Sequence, residues 1–291
     1  MNFRLLYFRT MVLRKQWLLL LPALALLAAV LLVPLGRSVL QSFGSPDWTL
    51  DHFRALFTDG VTLTVLVRTA LTALAVTAIA FLLGYPYAYL MTRVGPRMRG
   101  ILLVVVLVPF WTSVMARNFA WIIILQRGGP VHSFFQLFGL DVVLYESVAG
   151  VTVAMSQVLL PFMVLPLFSA LAGIDRRLLL AARGLGSHPV VAFWKIYWPL
   201  SRAGVVSGTI LVFTLSLGFY VTPALVGSPQ QSLVAQLLGQ RTTQLLDFEG
   251  ASALGMVVLV VTLVLVAWAN RVGGTVSAIG VVATGQPRER R

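Results

Sequence analysis

The chain has 291 residues, of which 58% are hydrophobic and only 11% are charged, and its formal net charge is +13. A soluble domain carries about 25% charged residues, so this composition excludes a water-soluble globule and indicates a membrane protein. The chain contains no cysteine, which excludes disulfides, thiolate metal sites and cysteine nucleophiles. The histidines His52, His132 and His188 lie far apart in sequence, without ligand spacing.

Six apolar stretches are long enough to cross about 30 Å of hydrocarbon as helices, at about 20 residues for each crossing. The first stretch is longer than the apolar core of a secretory signal peptide, which has about 7–15 residues. No clear small-residue cleavage site follows it, so we interpret it as a retained helix. The third contains Pro109 and then mixes Arg117 and Asn118 with aromatic residues, which predicts a spanning helix followed by a partly buried outer segment. In the fifth, Thr222-Pro223 predicts a break near the outer end. The predicted spans lie near 17–40, 62–91, 101–124, 149–172, 202–226 and 250–270.

The positions of lysine and arginine predict the orientation, because both residues resist translocation. If the N-terminus is inside, sixteen of the 22 Lys and Arg lie on inside segments, and the other six lie outside or at adjacent helix ends. Both termini are therefore predicted to be cytoplasmic, and the net charge is a topology signal rather than a nucleic-acid footprint. The inside segments are 1–16, 92–100, 173–201 with Arg202 at the rim, and the tail after 270, which we expect to be an unstructured end.

The longest inside loop, 173–201, has the residue pattern of two short helices. Asp175 is predicted to cap the first helix, and Gly186 to end it in the left-handed conformation. Ser187 is predicted to cap the second helix, with Pro189 in its first turn. On these features alone, an ordinary amphipathic connector is an equal alternative. Residues predicted to hold the second helix at the membrane surface are Trp194, Ile196, Tyr197 and Trp198.

The spacing in this loop resembles a pattern found in permease subunits of bacterial ABC importers. That pattern reads Glu-Ala-Ala, three residues, Gly, nine residues, Ile, one residue, Leu-Pro. Leu180 stands where the family usually has Glu, and Trp198 stands where it has Leu. Other stretches are similar to the spermidine/putrescine-type branch, among them LLGYPYAYLMTR (82–93) and GFYVTPALVGSP (218–229), and the resemblance covers roughly 50–270. The matching positions of the loop pattern are Ala181, Ala182, Gly186, Ile196 and Pro199.

The resemblance implies a type I ABC importer permease fold, an all-α integral membrane protein with six transmembrane helices and both termini cytoplasmic. The implied divisions are 1–61 (N-terminal segment, first helix and outer loop), 62–270 (transmembrane domain, with the coupling loop 173–201) and 271–291 (cytoplasmic tail). The implied partners are a second related permease subunit, two copies of an ABC ATPase subunit, an extracytoplasmic substrate-binding protein and the bilayer of the bacterial inner membrane, with no nucleic acid. Contact with the ATPase is expected at Ala181, Ala182, Arg183, Leu185, Gly186 and Ser187.

No catalytic motif is present in the sequence. There is no G-x-x-x-x-G-K-[ST] phosphate loop, no H-E-x-x-H and no G-x-S-x-G. We therefore expect no catalytic residue, metal or cofactor in this chain, and expect ATP and Mg to bind the partner ATPase. An ATP-independent channel or secondary carrier is the alternative, and transport by either would survive loss of the coupling loop.

Polar residues inside spans are costly in lipid and usually face the bundle interior or a water-filled path. Gln157 is predicted either to form an interhelical hydrogen bond or to contact a ligand. Trp111 and Trp121 are predicted either to pack within the bundle or to stack on a ligand. Gly204-x-x-x-Gly208 predicts close helix packing, within the chain or against the partner permease. The candidate pathway residues are Trp111, Arg117, Asn118, Trp121, Gln157, Tyr220, Thr222 and Pro223.

The branch resemblance implies a small amine as the cargo, with a polyamine favoured. A polyamine requires carboxylates or an aromatic cage. No acidic residue lies deep in any predicted span, and Asp247 and Glu249 at the outer mouth are the nearest. Because the branch also serves amino-acid derivatives and opines, these solutes remain alternatives.

Overall fold

The computed structural model describes residues 3–44 and 48–283, and every regular element in these ranges is helical. Residues 176–197 form two short helices and a π-helical turn, which link the helix Val148–Ala172 to the helix Trp198–Leu217. The elements in chain order are α1 (Phe3–Ser42), α2 (Asp51–Thr58), α3 (Gly60–Arg93), α4 (Pro96–Trp111), α5 (Val114–Leu125), α6 (Pro130–Gln136), α7 (Val148–Ala172), α8 (Arg176–Gly184), α9 (Pro189–Ala192), the π-helical turn Phe193–Tyr197, α10 (Trp198–Leu217), α11 (Val221–Val226), the 3₁₀ turn Pro229–Gln231, α12 (Val234–Thr243) and α13 (Phe248–Ala283).

The described helices confirm a multi-pass membrane protein. Five helical stretches are long and apolar enough to cross a bilayer, and a bent pair of helices supplies a sixth crossing if it is counted as one span. The bend in this pair is 98°. The five are Leu21–Ser42, Gly60–Arg93, Val148–Ala172, Val190–Leu217 and Phe248–Trp268, and the bent pair is Pro96–Trp111 with Val114–Gln136.

Two predicted spans have different boundaries in the structure. The helix predicted across 101–124 breaks after Trp111, where Thr112 has extended backbone. Pro109 precedes this break, and proline removes a helical amide and crowds the preceding turn. In the fifth predicted span, α10 ends at Leu217 and α11 begins at Val221, so the break lies at 218–220 and not at the predicted Thr222-Pro223. Pro223 lies in the first turn of α11, where a missing amide leaves no hydrogen bond unmade.

Both terminal helices are longer than predicted. α1 begins at Phe3, well before the expected start near 17. α13 continues to Ala283, so the expectation of an unstructured end is wrong for 271–283, and 284–291 lies outside the described residues. A continuous helix satisfies its backbone amides internally, which accounts for extension of the helical conformation beyond the apolar run itself.

The chain divides into two compact units, residues 1–59 with 241–257, and residues 60–240 with 258–291. In the first unit, the imidazole of His52 lies 3.1 Å from a carboxylate oxygen of Glu249. Arg241 lies 3.7 Å from a carboxylate oxygen of Asp59 and 3.7 Å from one of Asp247. These contacts connect residues 52–59 with residues 241–249 within the first unit.

The core of the second unit is the packing of α3, α7 and α10. A Cβ added at Gly204 would lie 2.5 Å from Ala170 Cβ, and one added at Gly208 would lie 2.8 Å from Met163 Sδ. A Cβ at Gly84 of α3 would lie 2.9 Å from Met163 Cγ. Small residues let helix backbones approach this closely. The Gly204-x-x-x-Gly208 pattern therefore packs against α7 of the same chain.

The ends of the second unit agree with the predicted orientation. At one end, Thr92 and Tyr197 lie within 3.4 Å of each other through their hydroxyl oxygens, which joins the inside segments 92–100 and 173–201. At the other end of α3, Arg68 donates to the carbonyl oxygens of Gln230 and Ser232. A helix of 34 residues rises about 1.5 Å per residue, so α3 separates these two ends by the thickness of a membrane.

Candidate coupling segment and translocation pathway

The first helix of the coupling loop has the predicted caps. Asp175 Oδ1 accepts a hydrogen bond from the Arg177 amide at 2.9 Å, which confirms the N-terminal cap. At the other end, the Ser187 amide donates to the Ala182 carbonyl at 3.0 Å, and Gly186 has φ of +80°. This bond, together with a left-handed residue, is the Schellman arrangement, which favours glycine because a Cβ is strained there.

The second helix of the loop is capped differently from the prediction. His188 Nδ1 accepts from the Val190 amide at 3.4 Å, and the His188 carbonyl accepts from Ala192 at 3.0 Å. The expected cap by Ser187 is therefore wrong. Because Pro189 occupies the first helical position, the residue directly before it becomes the N-cap. The Ser187 amide is already bonded to the end of α8.

Apolar side chains of the coupling segment, residues 173–201, are exposed. Leu185 is 89% exposed, the highest value among the large hydrophobic residues that the structure describes. Ala181 and Gly186 are also exposed, and Ala182 and Ser187 are half-buried. The side chains of Leu180 and Arg183 lie outside the described residues. Further exposed apolar residues on this segment are Leu178, Val190, Val191 and Trp194.

The π-helical turn Phe193–Tyr197 fixes the coupling segment to the core through aromatic contacts. Tyr197 is only 4% exposed, so its ring packs inside the chain, whereas Trp194 is exposed. The reason is a matching set of rings on α3. Tyr197 packs against Tyr89 with centroids 5.2 Å apart, and Phe193 packs against Tyr85 at 6.2 Å. Such edge-to-face pairs stabilise packing by about 0.5–1.5 kcal/mol each.

Arg117 bridges the break between α4 and α5. Its guanidinium Nη1 donates to the carbonyl of Pro109 in the last turn of α4. That carbonyl needs an external donor because it lies where the helix ends. Arg117 Nε is buried without a hydrogen-bond partner among the described residues. Trp111, at the end of α4, is 88% exposed.

Two buried polar atoms lie on short helices that pack against each other, α5 and α11. Asn118 is fully buried, and its Nδ2 donates to the Val114 carbonyl at 2.9 Å. Its Oδ1 has no partner within the described part of the chain, and the same holds for Thr222 Oγ1, on a residue 1% exposed. An unsatisfied buried polar group costs about 1–3 kcal/mol, so both atoms have bonding capacity left for a ligand or water.

The remaining pathway candidates lie near these two helices. Trp121 Nε1 donates to Gln157 Oε1 at 3.4 Å, which supports the interhelical hydrogen bond among the two roles considered for Gln157. Tyr220 is 51% exposed in the gap between α10 and α11, and Pro223 is buried in α11. Tyr220 and Thr222 therefore both lie on the short segment that follows the break after α10.

The carboxylates nearest to a pathway are already engaged in structural contacts. Asp247 Oδ1 accepts from the Gly250 amide at 2.8 Å and so caps α13. Glu249 pairs with His52. Among the described residues, no group of three or more His, Cys, Asp or Glu could hold a metal ion.

A charged cluster in the loop after α5 is not evident from the sequence spacing. His132 Nδ1 accepts from the Gly128 amide at 3.2 Å, which leaves Nε2 to donate to Asp141 Oδ1 at 2.7 Å. Arg127 lies 3.4 Å from the other oxygen of Asp141. The hydrogen bond from His132, followed by the charge of Arg127, holds the pKa of the Asp141 carboxyl below its usual value of 3.8. In the sequence, the signal for this cluster is weak, because it consists of one histidine nine residues before one aspartate.

Comparison with known proteins identifies the family. The model described as "Binding-protein-dependent transport system inner membrane component" matches residues 80–275, which is more than half of the chain. The chain therefore belongs to this family and is a permease subunit of an ABC importer. It is a multi-pass inner-membrane protein and a transport component rather than an enzyme.

Several curated relatives are similar over most of the chain. The spermidine/putrescine transport system permease protein PotB of Escherichia coli is 29% identical over 232 residues, covering 78% of this chain and 84% of that protein. PotB of Haemophilus influenzae is 29% identical and covers 86% and 89%. The molybdenum transport system permease protein ModB of Mycobacterium bovis is 32% identical and covers 76% and 82%.

Solved structures show the same fold. A bacterial ABC transporter involved in import of the acidic polysaccharide alginate superposes with a TM-score of 0.67 at 19% identity, covering 90% of this chain and 96% of that chain. The alginate transporter in complex with an alginate pentasaccharide-bound periplasmic protein gives 0.69 at 19% identity, with 89% and 94% covered. This likeness extends the type I permease fold over nearly the whole chain.

Proposed function

We propose that this chain forms half of the translocation pathway of an ATP-driven importer. The second half is a related permease subunit, two copies of an ABC ATPase subunit bind ATP and Mg, and an extracytoplasmic protein delivers the solute. The observation that carries the proposal is the coupling segment, where Leu185 is 89% exposed beside the Schellman end of α8. An apolar surface on a basic inside loop is unfavourable in water and favourable against a protein partner.

The coupling segment is built to pass a movement of the ATPase to the spans. Residues Ala181, Ala182, Leu185, Gly186 and Ser187 form the proposed contact surface, together with Arg183. The aromatic contacts of Phe193 and Tyr197 with α3 tie this surface to the core. Packed elements of this kind move as rigid bodies rather than deform continuously.

We assign the pathway of this subunit to the region of α5 and α11. Broken helices expose backbone groups and line transporter paths, and both the third and the fifth crossings are broken here. The unpartnered atoms of Asn118 and Thr222 provide polar contacts. Tyr220 and Trp121 supply aromatic surface, and Gln157 accepts the hydrogen bond of Trp121. Arg117 bridges the break between α4 and α5, Pro223 is buried in α11, and Trp111 lies at the exposed end of α4.

The proposed cargo is a polyamine, and the similarity to the PotB proteins supports this assignment. The described spans offer few groups for a cation, since Glu249 in the first turn of α13 is the one acidic residue within them. The carboxylates that bind a polyamine are therefore expected on the partner permease, while this subunit supplies aromatic rings for cation–π contact.

A second candidate cargo is a carboxylate-bearing amine, such as an amino-acid derivative or an opine. Arg117 favours it, because this guanidinium lies at the break of the third crossing with its Nε unpartnered among the described residues. Arginine pairs with carboxylates through forked hydrogen bonds. A doubly charged cation would be repelled by the same group.

The cargo is tested by calorimetric titration of the extracytoplasmic binding protein that serves this transporter. The panel contains putrescine, spermidine, aminobutyrate and an opine. Tight binding of a polyamine, with no signal for the carboxylates, is the expected result. Binding of an opine or aminobutyrate alone would replace the polyamine assignment with the second candidate.

The pathway assignment is tested by Thr222→Val in proteoliposomes that contain the full transporter. Replacing an unsatisfied buried hydroxyl by a methyl group leaves stability unchanged or raises it. A loss of uptake without a loss of stability therefore indicates ligand contact. The matched control is Thr152→Val, a buried threonine whose hydroxyl already donates to the Val148 carbonyl at 2.7 Å. Equal uptake in both variants would exclude Thr222 from the pathway.

A further inference from the structure

A small polar cavity lies at the inside end of the second unit, directly beside the coupling segment. Its volume is about 90 Å³, and five helical elements contribute to its wall. One water takes about 30 Å³ in the liquid, so the cavity has room for a group of several heavy atoms. The lining residues are Thr92, Arg93, Arg99, Leu171, Ala172, Ile174, Leu179 and Tyr197.

Two guanidinium groups give this cavity its charge. Arg93 Nη2 donates to the Tyr89 hydroxyl at 2.6 Å, and the group stacks over the Tyr89 ring at 4.8 Å. Arg99 Nε donates to the Met91 carbonyl at 3.2 Å, and its guanidinium carbon lies 5.8 Å from the Phe168 ring centroid. Both groups are thus held in position by contacts that leave other N–H donors available.

Neither guanidinium has a counter-charge within the part of the chain that the structure describes. The ion pairs of that part involve other residues, and all of them lie away from this cavity. The segment 92–100 also contains Arg97 and no acidic residue. Two nearby cations repel each other, so placing both on one cavity is favourable when an anion lies between them.

The geometry points to a binding site for a phosphate-type oxyanion, held by Arg93 and Arg99. Arginine binds phosphate through forked charge-assisted hydrogen bonds, and the Tyr197 and Thr92 hydroxyls line the same wall. The phosphate comes either from the headgroup of an anionic phospholipid or from free phosphate. The lipid source fits the location, because basic pockets between spans at the cytoplasmic surface face the anionic headgroups of that leaflet.

Occupancy of this site would brace the coupling segment. Thr92 and Arg93 end α3, Arg99 lies in α4, and Leu179 belongs to α8. An anion bonded to both arginines therefore joins the turn between α3 and α4 at the base of α8. This role is separate from the identity of the transported solute, and its test does not depend on transport of any cargo.

The test uses the full-length chain purified in a neutral detergent, with the thermal unfolding midpoint measured during titration. Short-chain dioctanoyl phosphatidylglycerol, short-chain dioctanoyl phosphatidylcholine and inorganic phosphate are titrated separately. The variants are Arg93→Gln and Arg99→Gln, and the matched control is Arg97→Gln, which removes the same charge from the same segment without lining the cavity. Losing a charge-assisted hydrogen bond weakens binding about tenfold or more.

Phosphatidylglycerol is expected to stabilise the wild type and Arg97→Gln, and to bind about tenfold more weakly to the other two variants. Phosphate binding equal to that of the lipid would assign the site to free phosphate instead. Equal weakening in Arg97→Gln, or equal binding of phosphatidylcholine, would overturn the site. Unchanged phosphatidylglycerol binding in Arg93→Gln and Arg99→Gln would also overturn the site. If Arg99→Gln does not fold, Arg93→Gln still tests the site, because Arg93 is exposed and does not contribute to the buried core.

Discussion

Tyr85 and Ser201 join α3 to α10 through a hydrogen bond of 3.0 Å between their hydroxyl oxygens. Ser201 itself donates to the Trp198 carbonyl at 2.8 Å, so Tyr85 is the donor in the shared bond. Both residues are buried, and Trp198 follows directly after the π-helical turn of the coupling segment. The bond therefore connects the root of the coupling segment to the longest helix of the core.

The contribution of this bond is measurable by a double-mutant cycle with Tyr85→Phe and Ser201→Ala. We expect an interaction free energy of about 0.5–1.5 kcal/mol, because one neutral buried hydrogen bond is lost in either variant. Thermal unfolding of the detergent-solubilised chain gives the values. Pairing Tyr85→Phe with Ser207→Ala, at an exposed serine of α10, supplies the control. Additive effects in the Tyr85–Ser201 cycle would show that the bond does not stabilise the core.

Gly186 and Gly184 form a matched pair for testing the end of the coupling helix. A Cβ at either position meets no atom within 4 Å, but only Gly186 has a positive φ, of +80°. Gly186→Ala should cost about 1 kcal/mol through backbone strain. Gly184→Ala lies in helix and should be neutral or stabilising.

The effect of this pair is read from the ATPase activity of the reconstituted transporter when the loaded binding protein is added. About 1 kcal/mol corresponds to a roughly fivefold change in an equilibrium. Gly186→Ala should therefore weaken stimulation several-fold, while Gly184→Ala should retain it. Equal stimulation in both variants would show that the shape of this turn has no part in coupling.

Close packing of α10 on α7 predicts a large effect from one added methyl group. Gly204→Ala places a Cβ 2.5 Å from Ala170 Cβ and 2.9 Å from the Pro166 carbonyl oxygen. Overpacking of this kind costs about 1–3 kcal/mol, so the unfolding midpoint should fall. Gly100→Ala in α4 is the control, because its Cβ meets nothing within 4 Å. A stable Gly204→Ala protein would mean that the two helices lie farther apart.

The loop cluster of Asp141, His132 and Arg127 predicts a defined pH response. The folded pKa of Asp141 is lowered by the His132 hydrogen bond, so its contribution is fully present above the unfolded value of 3.8. The contribution is lost as the pH falls through the folded pKa. Asp141 therefore stays ionised at both pH 7 and pH 5, which lie about one unit or more above 3.8. Titration of Asp141 should thus cause no loss of hydrogen-exchange protection in residues 127–141 between these two pH values. Asp141→Asn should exchange faster than the wild type at both pH values, and equal rates would contradict the role of this carboxylate.

Local features predicted from sequence agree best with the structure. The cap by Asp175 and the left-handed Gly186 follow from backbone requirements of neighbouring residues, and both are confirmed. Positions of the main spans follow from apolar length, because lipid admits few alternatives to a helix. The loop pattern and the similar stretches together predicted the family that the comparisons show.

Features that depend on distant partners were not predictable in the same way. The break after Trp111 is bridged by Arg117, whose partner is the Pro109 carbonyl on another helix. Tyr197 is buried because Tyr89 and Phe193 pack against it, whereas the sequence shows only an aromatic residue of a type that suits a membrane surface. Transport and docking roles of the named site residues stay predictions, since burial and hydrogen bonds describe their surroundings and not their ligands.

The most direct test of the coupling assignment is site-specific cross-linking to the ATPase. The chain contains no cysteine, so one introduced cysteine is unique. Leu185→Cys places the thiol at an 89% exposed position of the coupling segment, and Leu137→Cys, 82% exposed in the loop after α6, is the control. With a thiol-reactive photo-cross-linker in membranes that contain the whole transporter, Leu185→Cys should capture the ATPase subunit and Leu137→Cys should not. Capture from neither position, or from both equally, would contradict docking of the ATPase on this segment.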